Sequence, residues 1–60
     1  MEATKAIATQ VRITKCYLIE ICGKDGKELQ SDFSFLTYHE SKLLGENMKN
    51  KYNERTLSLN

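Results

Sequence analysis

Alternating apolar and polar positions dominate the first half of the chain. In VRITKCYLIEIC, Val11 to Cys22, the odd positions Val11, Ile13, Tyr17, Ile19 and Ile21 are apolar and only Lys15 is not. The even positions Arg12, Thr14, Cys16, Leu18, Glu20 and Cys22 are mixed. A period of two in a segment rich in β-branched and aromatic residues predicts one long strand with a strongly apolar face. Glu28 to Leu36, ELQSDFSFL, repeats the alternation with Leu29, Phe33 and Phe35 at odd positions. The two runs flank Gly23 to Lys27 and together predict a β-hairpin.

Two registers compete for that hairpin. A two-residue Asp25-Gly26 turn pairs Cys22 with Leu29 and Leu18 with Phe33, setting the apolar face of one strand against the polar face of the other. A three-residue loop, Lys24-Asp25-Gly26, closes on Gly23 and Lys27 and uses Gly26 as the left-handed residue of a bulge. It places Ile21 opposite Leu29, Ile19 opposite Ser31, Tyr17 opposite Phe33 and Lys15 opposite Phe35. Collecting the large odd residues on one surface is the larger effect, so the three-residue loop is the predicted register.

The period then changes. Thr37-Tyr38-His39-Glu40 has the T-x-x-E form of a helix capping box. Beyond it, Ser41, Leu44, Gly45, Met48 and Tyr52 fall on one stripe at helical spacing, while Leu43 points well off it. Gly45 weakens an isolated helix by about 1 kcal/mol relative to Ala, but on that stripe it lets the axis approach the sheet closely. The predicted helix ends near Asn53. Arg55 to Asn60, RTLSLN, alternates again through Leu57 and Leu59 and predicts a short third strand or an arm. Some of TKAIATQ can extend the first strand backwards, with residues 1–8 otherwise flexible. The fold class is α+β: a small two- or three-stranded antiparallel sheet with one packed helix, in the order β-β-α-β, forming a single domain over residues 1–60.

Composition narrows the function classes. Nine Lys and Arg against eight Asp and Glu leave a formal net charge of +1, which is neither a dedicated nucleic-acid binder nor an acidic mimic. Hydrophobic content of 40% argues against a wholly disordered chain. No apolar run approaches the roughly 20 residues of a membrane span, and MEATKAIATQ has no apolar stretch of signal-peptide length. With two cysteines and no disulfide framework, the expected location is the cytoplasm with both thiols reduced. A domain this small buries only about 60% of its unfolded surface, so covering an apolar face with a partner is a physically reasonable expectation.

The candidate chemistry is thin. Cys16 and Cys22 share strand parity but stand about 20 Å apart along an extended strand, too far to share one zinc ion. They read as small hydrophobes of the second face, and His39 as an exposed residue of the first helical turn. Cys16 or Cys22 with His39 and Asp32 supplies nucleophile, base and orienting types without a motif, and Glu20 with Asp32 lies on the even face without an enforced spacing. GKDG at residues 23–26 matches the G-x-x-G of nucleotide-clamping loops in four letters, yet sits between strands rather than helices. No enzyme activity, metal or cofactor is expected.

Protein association fits better. Once a helix covers the odd face, the even face still presents Cys16, Leu18, Cys22 and Leu36, while Leu43 on the helix and Leu57 and Leu59 in the tail supply further anchors. The expected function is a small non-enzymatic interaction module, an inhibitor or adaptor, acting as a homodimer or on a larger protein target. The alternative is a weakly basic RNA- or DNA-binding protein using Arg12, Lys15, Lys49, Lys51 and Arg55. In that case the aromatics of the odd face are unavailable for stacking, because the helix lies over them.

Overall fold

The computed structural model describes residues 2–12 and 15–58. Three strands, β1 (Ala3–Gln10), β2 (Tyr17–Gly23) and β3 (Glu28–Ser34), precede one long helix, α1 (Tyr38–Ser58). They form an antiparallel sheet in the order β1-β2-β3, with α1 across one face. The architecture is α+β, but its order is β-β-β-α, which corrects the predicted β-β-α-β.

Both errors in that order have local causes. The predicted strand from Val11 to Cys22 is interrupted by a turn, closed by the Val11 N–H donating to the Cys16 carbonyl at 2.9 Å. Arg12 adopts a left-handed φ of 57° there, a conformation costing a side-chain-bearing residue about 1–2 kcal/mol. VRITKC contains no Gly, Asn, Asp or Pro to announce a turn, and pairing β1 along β2 offsets the local cost. Ile13 and Thr14, also assigned to that strand, lie outside the described residues. At the other end, residues 55–58 are the last turn of α1 rather than a strand or arm. Arg55 suits the negative end of the helix dipole, and the Thr56 hydroxyl back-bonds to the Tyr52 carbonyl at 2.9 Å.

The third strand comes instead from the N-terminal segment. Asn53 holds it: its side-chain oxygen accepts the Ala3 N–H at 2.8 Å, and its amide donates to the Ala3 carbonyl at 3.0 Å. An asparagine that sequence reasoning places at the helix end thus acts as a one-residue strand partner, and the helix continues past it.

The helix stripe is as the periodicity predicts. Ser41 and Gly45 are buried, and Leu44, Met48 and Tyr52 are half-buried; the latter three pack on a core of Ala3, Ile19 and Ile21 with Ala6 and Leu29. Gly45 sits tightly against the sheet, since a Cβ built there lies 3.2 Å from Ile19 Cγ2 and 3.3 Å from Ala6 Cβ. The start is fixed by Thr37, whose hydroxyl accepts the Glu40 N–H at 3.3 Å and donates to the Glu40 carboxylate at 2.8 Å. Ser41 then welds the first turn to the sheet by donating to Ser34 Oγ at 2.9 Å in a buried contact.

The hairpin register is a compromise between the two candidates. The tip closes as a three-residue loop: the Gly23 N–H donates to the Lys27 carbonyl, the Gly26 N–H donates to the Gly23 carbonyl, and Gly26 has a φ of +83°. Asp25 accepts the Lys27 N–H at 3.0 Å. One step further, Leu29 is bulged, so Cys22 pairs with Glu28 but Ile21 pairs with Gln30. From there Ile19 opposes Asp32, Leu18 opposes Phe33 and Tyr17 opposes Ser34. The predicted pairs Ile21–Leu29, Ile19–Ser31 and Tyr17–Phe33 are therefore replaced, and Phe33 moves to the face away from the helix.

The reason is the width of the cover. A helix with its side chains spans about 10–12 Å and strands are about 4.8 Å apart, so one helix shields two strands. Here α1 lies mainly over β1 and β2 and meets the margin of β3 at Leu29, at Gln30 through Arg55 and at Ser34 through Ser41, while Asp32 is exposed. The bulge keeps Leu29 on the core while releasing Phe33 from it.

Two substitutions test this packing. Gly45→Ala gains about 1 kcal/mol of helix propensity but incurs about 1–3 kcal/mol of overpacking against the branched Ile19 and the backbone-fixed Ala6. The expected result is a lower melting temperature, and a higher one would show that the contact yields freely. Asn53→Ala leaves two backbone groups of Ala3 unpaired and is expected to cost about 1–2 kcal/mol, with faster hydrogen exchange at Ala3. Unchanged exchange at Ala3 would remove the clamp from the account.

Candidate interaction face of the sheet

Register decides which side chains share the uncovered face, because residues paired across neighbouring strands lie on one side of a sheet. Ile19 and Ile21 belong to the core, so Leu18, Glu20 and Cys22 face the other way with their partners. Three rows result: Thr9–Leu18–Phe33, Ile7–Glu20–Ser31 and Lys5–Cys22–Glu28. The first two carry the apolar surface, with Phe33 59% and Ile7 38% exposed and Leu18 half-buried at the centre. The third row is charged at both edges. Its middle member Cys22 is only 6% exposed and offers little surface.

The expected interface residues do not form one patch. Cys16, half-buried, stands just before β2 beside the first row, and Leu18 and Cys22 lie on the open face. Leu36 belongs to the connection between β3 and α1. Leu43 is exposed on α1 in a shallow depression with His39, Lys42 and Glu46, and Leu57 is exposed in its last turn. Leu59 lies outside the described residues. Pattern reading missed Ile7 and Phe33. The rejected two-residue register contained the signal for Phe33, since it set Leu18 opposite Phe33. Ile7 became visible only once β1 was a strand.

At the Leu36 end of the sheet an aromatic group surrounds a cleft of about 410 Å³, lined by Tyr17, Phe35, Leu36, Tyr38 and Lys15 among others. The Tyr17 and Tyr38 rings are 5.8 Å apart in a tilted arrangement, His39 lies 5.8 Å from Tyr38, and Lys42 Nζ is 5.4 Å from the Tyr38 centroid. Phe35 is 80% exposed. The sequence-based expectation that the helix hides Phe33 and Phe35 is thus incorrect.

The basic candidates fall into two separate places. Arg12 and Lys15 are exposed in the turn between β1 and β2. Lys49, Lys51 and Arg55 ride on α1, where Lys49 pairs with Glu46 at 2.7 Å and Arg55 donates to Gln30 Oε1 at 3.3 Å. Glu20 and Asp32, which parity placed on one face, lie on opposite faces of the sheet because of the bulge at Leu29. Among the described residues, no group of three or more His, Cys, Asp or Glu side chains is placed to hold a metal ion, and Cys16 and Cys22 form no disulfide. No described helix is long and apolar enough to cross a membrane. Comparison of the chain with protein-family models, with curated proteins and with solved structures found no match.

Proposed function

We propose that the chain is a small non-enzymatic interaction module of the cytoplasm that binds a protein surface through the open face of its sheet, without a cofactor. The observation that carries this reading is the imbalance between buried and exposed apolar side chains. Among the described residues only Ile19 and Ile21 are large apolar side chains with essentially no exposure, while Phe33 and Ile7 stand exposed around Leu18 on one contiguous face. A partner that covers this face supplies the burial that a domain of this size lacks. The edge charges Lys5 and Glu28 then act as the polar rim that sets orientation.

A second reading has one specific observation in its favour. Phe33 and Phe35 are accessible to stacking, and Arg12 and Lys15 lie at the same end of the sheet. Exposed aromatics beside cations suit a single-stranded nucleic acid.

Footprinting by a small radical or carbene label tests the first reading. Labelling of Phe33 and Ile7 is expected to fall several-fold in an extract of the cells that make the protein, relative to the dilute purified chain, while Leu43 stays labelled. Equal labelling of Phe33 in dilute chain, concentrated chain and extract would sink it. For the second reading, a fluorescent mixed-sequence oligonucleotide is expected to bind at about 20 mM salt and to be released by about 200 mM. Absence of binding at the lower salt eliminates it.

A further inference from the structure

From the layout of the open face we infer that its partner is a second copy of the same chain, packed face to face about a two-fold axis parallel to β2. This rests on the association reading above and names the occupant. Three features of the structure converge on it.

The first is area. The chain exposes 4642 Å², whereas a compact monomer of its 6.9 kDa mass exposes about 4,000 Å². The surplus of roughly 600 Å² approaches the roughly 800 Å² that each partner contributes to a stable interface. The Cα trace measures 41 × 20 × 13 Å, and one face of its sheet is not covered by the helix.

The second is charge. A two-fold parallel to the central strand lays β1 of one copy over β3 of the other and keeps each row opposite itself. Lys5 at the β1 edge of the third row then meets Glu28 at the β3 edge of its mate, and the contact recurs on the other side. A single face carries both halves of a reciprocal ion pair.

The third is shape. The same operation sets Leu18 against Leu18 on the axis, with Thr9 of one copy under Phe33 of the other and Ile7 beside it. The bulky β3 edge of the apolar row therefore rests on the slighter β1 edge, so the two faces interlock. The axis also brings the two Glu20 side chains together, a like-charge contact that gives the arrangement a signed consequence.

Sedimentation equilibrium of the full chain across concentrations, with circular dichroism as the folding control, tests the inference. The wild type is expected to dimerise reversibly. Phe33→Glu and Ile7→Glu, each at an exposed position of an edge strand, are expected to raise the dimer dissociation constant at least about 10-fold with an unchanged spectrum, because each buries an unpaired charge. Leu43→Glu on the helix leaves it unchanged. Lys5→Glu weakens the dimer, the double variant Lys5→Glu/Glu28→Lys restores it, and Glu20→Gln tightens it. Loss of the dimer in Leu43→Glu, an undiminished dimer in Phe33→Glu, or no recovery in the charge-swapped pair overturns the inference. A wild type that stays monomeric up to millimolar concentration also overturns it. If Phe33 is then still protected in extract, the association reading stands with a different partner; if it is not, both fall together.

Discussion

The fold depends on one contact, the seating of α1 at Gly45 on Ile19 and Ala6. Without a side chain at Gly45, the helix axis comes close enough for a would-be Cβ to crowd both neighbours. That approach sets the height of the helix and its line across β1 and β2. Leu44, Met48 and Tyr52 pack on the same core, and Asn53 arrives at the backbone of Ala3. Because one helix shields about two strands, the same contact determines what is left out. β3 lies at the margin of that cover, so Gln30, bonded to Arg55, and the exposed Asp32 are tolerated on its helix side while Phe33 turns to the open face.

Two irregularities adapt the strands to that cover. The Leu29 bulge lets a three-residue loop, favoured by Asp25 and Gly26, coexist with a ladder in the register of a two-residue turn. A second register shift, between Ala3 and Lys5, lets Ala3 sit in the core beneath Asn53 while Lys5 lines the opposite face beside Cys22. Each inserts one residue and so reverses which face the following side chains occupy. The charged third row and the apolar first row of the open face are products of these two insertions.

The outcome is a domain with a small core and a structured surface. The polar contacts that tie it together, Asn53 to Ala3, Ser41 to Ser34 and Thr37 to Glu40, join sequence-distant or boundary positions and have well-formed geometry. They hold the sheet and helix in place while adding little apolar burial. Burial is what such a small chain lacks, and the proposed association supplies it on the one broad face the helix cannot reach. Function on this reading comes from complementarity between surfaces, so the residues that matter are those whose face is set by register.

Much of the frame was legible locally. The T-x-x-E cap, the stripe of Ser41, Leu44, Gly45, Met48 and Tyr52, the Gly26 turn, and the core roles of Ile19 and Ile21 follow from period, cap and turn chemistry, all of which act within a few residues. Of the candidate face, Leu18 and Cys22 were legible as even positions of a strand whose odd face is core, whereas Cys16 stands just before that strand. The origin of the third strand was not, because the turn at Arg12 carries no turn residue and β1 is stabilised by partners up to 50 positions away. Nor was the exposure of Phe33 and Ile7, since a single bulged residue reverses a strand's faces and helix width decides how many strands are covered. Local pattern therefore determined the hairpin, the helix and the core roles of Ile19 and Ile21, because period, cap and turn chemistry act within a few residues; tertiary packing alone decided which segment supplies the third strand and which side chains face outward.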